Sequence, residues 1–222
     1  MLVTVLLTVP AYADLTPDMP RPDRVEDPTY RPVRPERRNG VVLGASGGIA
    51  FAGASGTPNS ARFFDNPDYY SETPLLVGYS TSYFLMGALS DYVSFGPMVS
   101  IATFESASWK STGYGIGFRG EVFPFVKLFP ALADTAAFAQ VGLGHVDLRA
   151  KGPYPTSDGT QSFFGGGLQH EWRLGRLLGG HAAAGPQVAY DAIRSASSER
   201  HWLTVGLRVV WYGGSVALDA GR

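Results

Sequence analysis

From Gly40 onward the chain alternates. In Gly115–Phe123, Ile116, Phe118 and Val122 share one parity, against Gly115, Gly117, Arg119, Glu121 and Phe123. Trp202–Tyr212 sets Leu203, Val205, Leu207, Val209 and Trp211 against Thr204, Gly206 and Arg208. Leu75–Met86 opposes Val77, Tyr79, Thr81, Tyr83 and Leu85 to Gly78, Ser80, Ser82, Phe84 and Met86. In 168–174 the polar Gln169, Glu171 and Arg173 keep one parity against Leu168, His170, Trp172 and Leu174. A period of two marks strands with unlike faces. The pattern predicts about eight of them: 41–53, 75–86, 93–104, 112–124, 136–149, 162–174, 180–192 and 201–212. Each has at least the roughly 9–11 residues with which a tilted strand crosses hydrocarbon. No apolar run has the length of a membrane helix, since Phe123–Gly144 is broken by Lys127, Pro130 and Asp134.

Two architectures use such a pattern. A soluble sandwich turns its apolar face inward, whereas a membrane barrel turns it to lipid and fills the middle with polar or small groups. A wet strand face carries Thr, Lys, Glu and Arg. Here the second face is largely Gly, Ser and Ala, which suits a crowded interior. Arg119, Glu121, Glu171, Arg173 and Arg208 fall on that face and predict a paired charge network in a side-chain-filled lumen, because buried charges are normally paired. The connections alternate as well. Residues 54–74, 105–111, 150–161 and 193–200 are polar, 87–92 and 175–179 are tight, and 125–135 is longer and apolar around Leu128 and Phe129. An even strand count puts both termini on one side. The fold predicted is all-β: a closed antiparallel up-and-down transmembrane β-barrel.

Composition sharpens this. Only 17% of the 222 residues are charged, against about 25% in typical soluble domains, and Gly reaches 28. The formal charge of −1 lacks the basic footprint of a nucleic-acid binder. Without cysteine there is no disulfide scaffold, thiolate metal site or cysteine nucleophile. Met1–Ala13 has an apolar core ending in Ala11-Tyr12-Ala13, the pattern of a cleaved signal peptide. Residues 14–39 hold six Pro, six Arg and six Asp/Glu, and read as an extended, disordered periplasmic tail. The domain organisation expected is therefore signal peptide 1–13, tail 14–39, barrel 40–212 and a C-terminal extension 213–222.

Over about residues 40–212 the chain resembles the small eight-stranded outer-membrane β-barrels of Gram-negative bacteria. Thr204-x-Gly206-x-x-Val209-x-Trp211 is similar to the polar-x-Gly-x-x-apolar-x-aromatic signal of that family's last strand, and Gly115–Pro124 to one of its mid-barrel strands with the adjoining turn. The family usually ends at the aromatic residue, whereas here the chain continues to Arg222. The resemblance implies a bacterial outer-membrane location, outer-membrane lipids as surroundings, and recognition of the last strand by the barrel-assembly machinery.

Candidate chemistry is sparse. Gly115-x-Gly117-x-x-Gly120 matches a dinucleotide fingerprint but lacks the helix that must come after it. His145 and His170 lie on the apolar parity without a hydroxyl nucleophile beside His145 on that face, and the four His show no ligand spacing. No catalytic, cofactor-binding or metal residue is predicted, and the chain is not expected to be an enzyme. Tyr79, Tyr83, Tyr190, Trp172, Trp211 and Tyr212 are expected in interfacial belts. Phe63, Phe64, Tyr69 and Tyr70 in the first outer loop form the candidate recognition surface, for a ligand the sequence does not name. The role expected is structural or surface-interacting. A narrow channel or small-solute binder through the polar lumen is the alternative, and a lipid-modifying enzyme a third reading.

Overall fold

A computed structural model describes residues 38, 40–58, 66–152 and 157–213. The expected signal peptide, nearly all of the expected tail and extension, and Phe63 and Phe64 lie outside the described residues. Ten strands succeed one another: β1 (Gly40–Gly56), β2 (Ser71–Glu72), β3 (Leu76–Ser90), β4 (Val93–Glu105), β5 (Trp109–Val122), β6 (Thr135–Ala150), β7 (Ser157–His170), β8 (Trp172–Leu177), β9 (Gly180–Arg194) and β10 (Ser198–Tyr212). Each long strand pairs antiparallel with its sequence neighbours, and β10 returns to β1 along fifteen cross-strand pairs, so the sheet closes. β7 and β8 are two parts of one stave, interrupted at Glu171. β2 is a short graft on the outer end of β1. The result is an eight-staved antiparallel barrel.

The polarity of the wall is reversed relative to a soluble core. Val205, Leu207 and Val209 are 51, 65 and 56% exposed, while Arg119, Glu121 and Arg208 are wholly buried. Ile116, Phe118, Val141 and Leu143 likewise stand on the outside, opposite Gly and Ser residues that face in. In water this much contiguous apolar surface would drive association; against acyl chains it is the favourable side.

The strands overrun the apolar stretches from which they were read. Residues 105–111 and 193–200, expected as polar outer loops, shrink to turns at 106–108 and 195–197. Polar residues continue the ladder there because they pair across it: Glu105 faces Lys110, and Arg194 faces Glu199 at 3.7 Å. At the opposite end, Leu178 (φ 50) and Gly179 (φ 77) join β8 to β9 with the two left-handed residues that a tight hairpin requires. The ladder between β6 and β7 ends at His170, and all six β8 residues are exposed.

Arg38 departs from the expected disordered tail. Its backbone N–H donates to Asp91 at 2.8 Å, its guanidinium to Asp134 at 2.5 Å and to the Ala133 carbonyl at 3.3 Å, and it lies 3.5 Å over the Phe123 ring. Two carboxylates and an aromatic face order a residue that composition alone would leave solvated.

Candidate functional site: the plugged lumen

On β10 the inward positions run Trp202, Thr204, Gly206, Arg208, Val210 and Tyr212, from the outer turn towards the termini. Arg208 anchors the lower part. Its Nη2 donates to Glu121 Oε2 at 3.0 Å, and Nη1 reaches both Glu121 Oε1 and Gln169 Oε1, the latter at 3.0 Å. Nε lies 2.8 Å from Glu171 Oε1, an ion-pair contact without the alignment of a hydrogen bond. Arg119 completes the group, donating from Nε to Glu121 Oε1 and from Nη2 to Gln169 Oε1, both at 2.7 Å. Two arginines and two carboxylates make a neutral plug, roofed and floored by aromatic rings. Arg119 stacks 3.6 Å over Phe138, and Arg208 sits 4.6 Å from the Phe84 centroid. Tyr212 OH donates to Glu171 Oε2 at 2.7 Å while its ring stacks on His181.

Strand geometry produces the cluster from distant sequence. Glu121 and Arg119 sit two apart on β5 and therefore share a face. Gln169 lies at the end of β7, and Glu171 enters the lumen through the break between β7 and β8, held by its N–H donating to the Asp134 carbonyl at 3.0 Å. Arg173, expected in the network, stands apart from it: it pairs with Ala183 in β8 and is exposed. The physical reason is that past Glu171 the stave keeps its ladder to β9 but has lost the one to β6, so parity no longer means enclosure. Tyr212, expected in an interfacial belt, points into the lumen and is 1% exposed. Tyr79, Tyr83, Tyr190 and Trp172 do face outward. Trp211 donates from Nε1 to the Leu177 carbonyl at 2.8 Å, tying β10 to the end of β8.

A second, aromatic barrier closes the outer half. Trp202 packs against Phe104 and Phe163, with ring centroids 5.8 and 6.2 Å away. Above them lies Arg200, 1% exposed, with its guanidinium 4.8 Å from the Trp202 ring and Nη1 donating to Ser111 Oγ at 2.8 Å. Between plug and barrier the two ends of the lumen are separated twice.

In the outer loop, Asn66 Oδ1 accepts from Asp68 N at 3.0 Å and starts a single 3-10 turn, Pro67–Tyr69. Tyr70 is 57% exposed and Tyr69 half-buried. Thr73 docks the loop on β1, its N–H donating to the Ala54 carbonyl and its Oγ1 accepting from Ala54 N, both at 2.9 Å.

The glycine triplet at 115, 117 and 120 lies within β5, which runs on to Val122 with no α-helix opening at Gly120. A hydroxyl does meet a histidine: Thr135 Oγ1 and His170 Nδ1 are 2.8 Å apart, beside the edge of Trp172. Their separation of 35 positions hides the pair from sequence, and its only signal is the β6–β7 register. At the outer rim, the Lys151 ammonium, hydrogen-bonded to Glu105, holds that carboxylate below its ordinary value. Among the described residues no group of three or more His, Asp or Glu side chains is placed to hold a metal ion.

The chain has the architecture of a closed eight-staved antiparallel barrel with an apolar outer wall. Solved structures of similar shape include Ail, the attachment invasion locus protein of Yersinia pestis, at 13% identity and TM-score 0.46, covering 78% of this chain and 99% of that one. Neisserial surface protein A matches at 15% identity and TM-score 0.45 over 78% and 99% of the two chains. The outer membrane protein AlkL matches at 13% and 0.38 over 87% and 98%. No family model and no curated protein matches the sequence.

Proposed function

We propose that this chain resides in the bacterial outer membrane as a sealed barrel, with a structural or surface-interacting role carried by its outer loops. The observation that carries this reading is the reversed wall: apolar side chains outside, a neutral ion cluster inside. Burying four charges is tolerable only when each is paired, and here they are paired with one another. The double barrier in the lumen weighs against a steady pore, since eight staves leave an interior that side chains fill.

The outer loop at 57–75 is the part best suited to recognition, through Tyr69 and Tyr70 with Phe63 and Phe64. The last strand serves the assembly machinery: Gly206 lies directly against Gly48 in the closing seam, where no larger residue fits.

The test combines three measurements on the full-length protein. In detergent it should migrate differently on gels before and after boiling. Reconstituted in planar bilayers it should stay electrically silent. On whole cells, protease should cut only within the outer loop. Steady conductance reduced by Arg208→Ala or Glu121→Ala would replace this reading with the channel, and identical gel migration before and after boiling would end the barrel reading.

A further inference from the structure

Arg200 points into the outer half of the lumen from β10 and is 1% exposed, yet its charge is unmatched. Among the described residues no carboxylate pairs with it or acts on it. The carboxylates at adjoining ladder positions are engaged elsewhere. Glu199, its chain neighbour, has the opposite parity and pairs with Arg194. Asp191, which faces Trp202 across the β9–β10 ladder, accepts from the Gln140 amide and couples to Arg119.

What holds the guanidinium is aromatic and neutral. Its carbon lies 4.8 Å from the Trp202 ring centroid and 5.3 Å from that of Phe104, and Nη1 donates to Ser111 Oγ at 2.8 Å. Nε and Nη2 are buried without an acceptor. Their N–H bonds run parallel along one edge of the guanidinium, the fork that grips an anion with two bonds. Further donors belong to the same contacts. Ser111, having accepted from Nη1, keeps its own hydroxyl hydrogen to give, and Trp202 Nε1 is buried without a partner. Gly113 shapes the wall around the group: a Cβ there would stand 2.7 Å from Nη2. Cation–π contact offsets only a part of the cost of taking a guanidinium out of water. A water would satisfy the N–H groups and leave the charge unmatched; an anion does both.

We infer that the outer half of the lumen binds one small monovalent anion, chloride or a carboxylate of formate size, on the Nε–Nη2 fork of Arg200 with Ser111 and Trp202 as further donors. This goes beyond the surface role of the loops and needs only the closed barrel. At 1% exposure Arg200 is within reach of small ions alone. Bound there, the anion would tie β5 to β10 and remove a charge that otherwise opposes closure.

The experiment refolds the full chain from urea into uncharged detergent micelles, in sodium chloride, sodium formate or sodium gluconate at equal ionic strength. Gluconate is too large for an enclosed site. Bound chloride is counted by equilibrium dialysis with radioactive chloride, and the thermal midpoint is tracked by loss of the boiling-sensitive gel shift. The wild type should hold one chloride per chain and melt higher in chloride or formate than in gluconate, saturably. Arg200→Met should retain the gel shift, bind no chloride and melt equally in all three salts. Trp202→Phe keeps an aromatic ring without the N–H and should need about tenfold more chloride for the same rise, the loss of one hydrogen bond to an ion. If Arg200→Met fails to close, Trp202→Phe and the wild-type count decide. Bound chloride that formate does not displace upholds the site as a halide one, and a rise in formate alone upholds it as a carboxylate one. No bound chloride with equal melting in the three salts overturns the inference. So does an undiminished chloride response in Arg200→Met.

Discussion

Arg208 and Glu121 meet across the barrel interior from 87 positions apart in sequence, with Nη2 3.0 Å from Oε2 and both side chains fully enclosed. The contact links β10, the last strand, to β5, with no ladder between them, so it reports closure of the whole sheet. Removing one partner leaves the other charge buried. Glu121→Ala should cost about 3–5 kcal/mol, measured by urea unfolding in micelles. The double variant Glu121→Leu with Arg208→Met should lose less than Glu121→Ala alone, because it strands no charge between these two positions.

The outward face makes the opposite demand. Leu207 is 65% exposed yet apolar, and Leu207→Arg should destabilise the barrel by about 2–4 kcal/mol in a lipid bilayer. His201→Arg, near the outer end of the same strand, should cost about 0–1 kcal/mol. Equal and negligible costs at both positions would mean that the band does not sit in hydrocarbon.

At the seam, Gly48 opposes Gly206. A Cβ at Gly206 would lie 2.1 Å from the Gly47 carbonyl oxygen, and one at Gly48 would lie 2.2 Å from that of Val205. Because the obstacle is backbone, no rotamer change relieves it. Gly206→Ala should slow or abolish the appearance of the boiling-sensitive form in refolding assays. Gly87→Ala, where nothing lies within 4 Å, should leave that rate unchanged.

Lys151 lowers the Glu105 carboxyl below its usual 4.5 through a hydrogen bond first and charge second. A carboxylate with a depressed folded-state value stabilises above its unfolded value and loses that contribution as pH falls through the folded one. Both groups are exposed, so the effect is small and salt-sensitive. Lys151→Met should therefore lower the thermal midpoint slightly at neutral pH and leave it unchanged at about pH 2, or in high salt.

Much of this architecture is legible in the order of residues. Alternation placed Arg119, Glu121, Glu171 and Arg208 on one side of the wall, and Gly, Ser and Ala beside them told which side was crowded. The limits of parity show at Arg173 and Tyr212. Parity assigns a face, but the staves continue past the enclosed segment, and beyond the break at Glu171 the rest of its stave is paired on the β9 side alone. Tyr212 fails for a different reason: an aromatic residue at a strand end suits an interface or a stacking partner equally well, and His181 supplies the partner. The Gln140–Asp191 and Thr135–His170 contacts depend on register between strands, for which the local pattern carries no information.

Arg38 sits where the chain enters β1, bound to residues of the β3–β4 turn and of the segment before β6. Arg38→Ala should raise hydrogen exchange in 123–134 and expose the Phe123 ring, with a loss of about 1–3 kcal/mol from the Asp134 ion pair and the bonds to the Asp91 and Ala133 carbonyls that the guanidinium supplies. The same anchorage works as a strain relief. Tension on the residues preceding it would be transferred sideways into two neighbouring hairpins before it could peel the first stave away from the eighth.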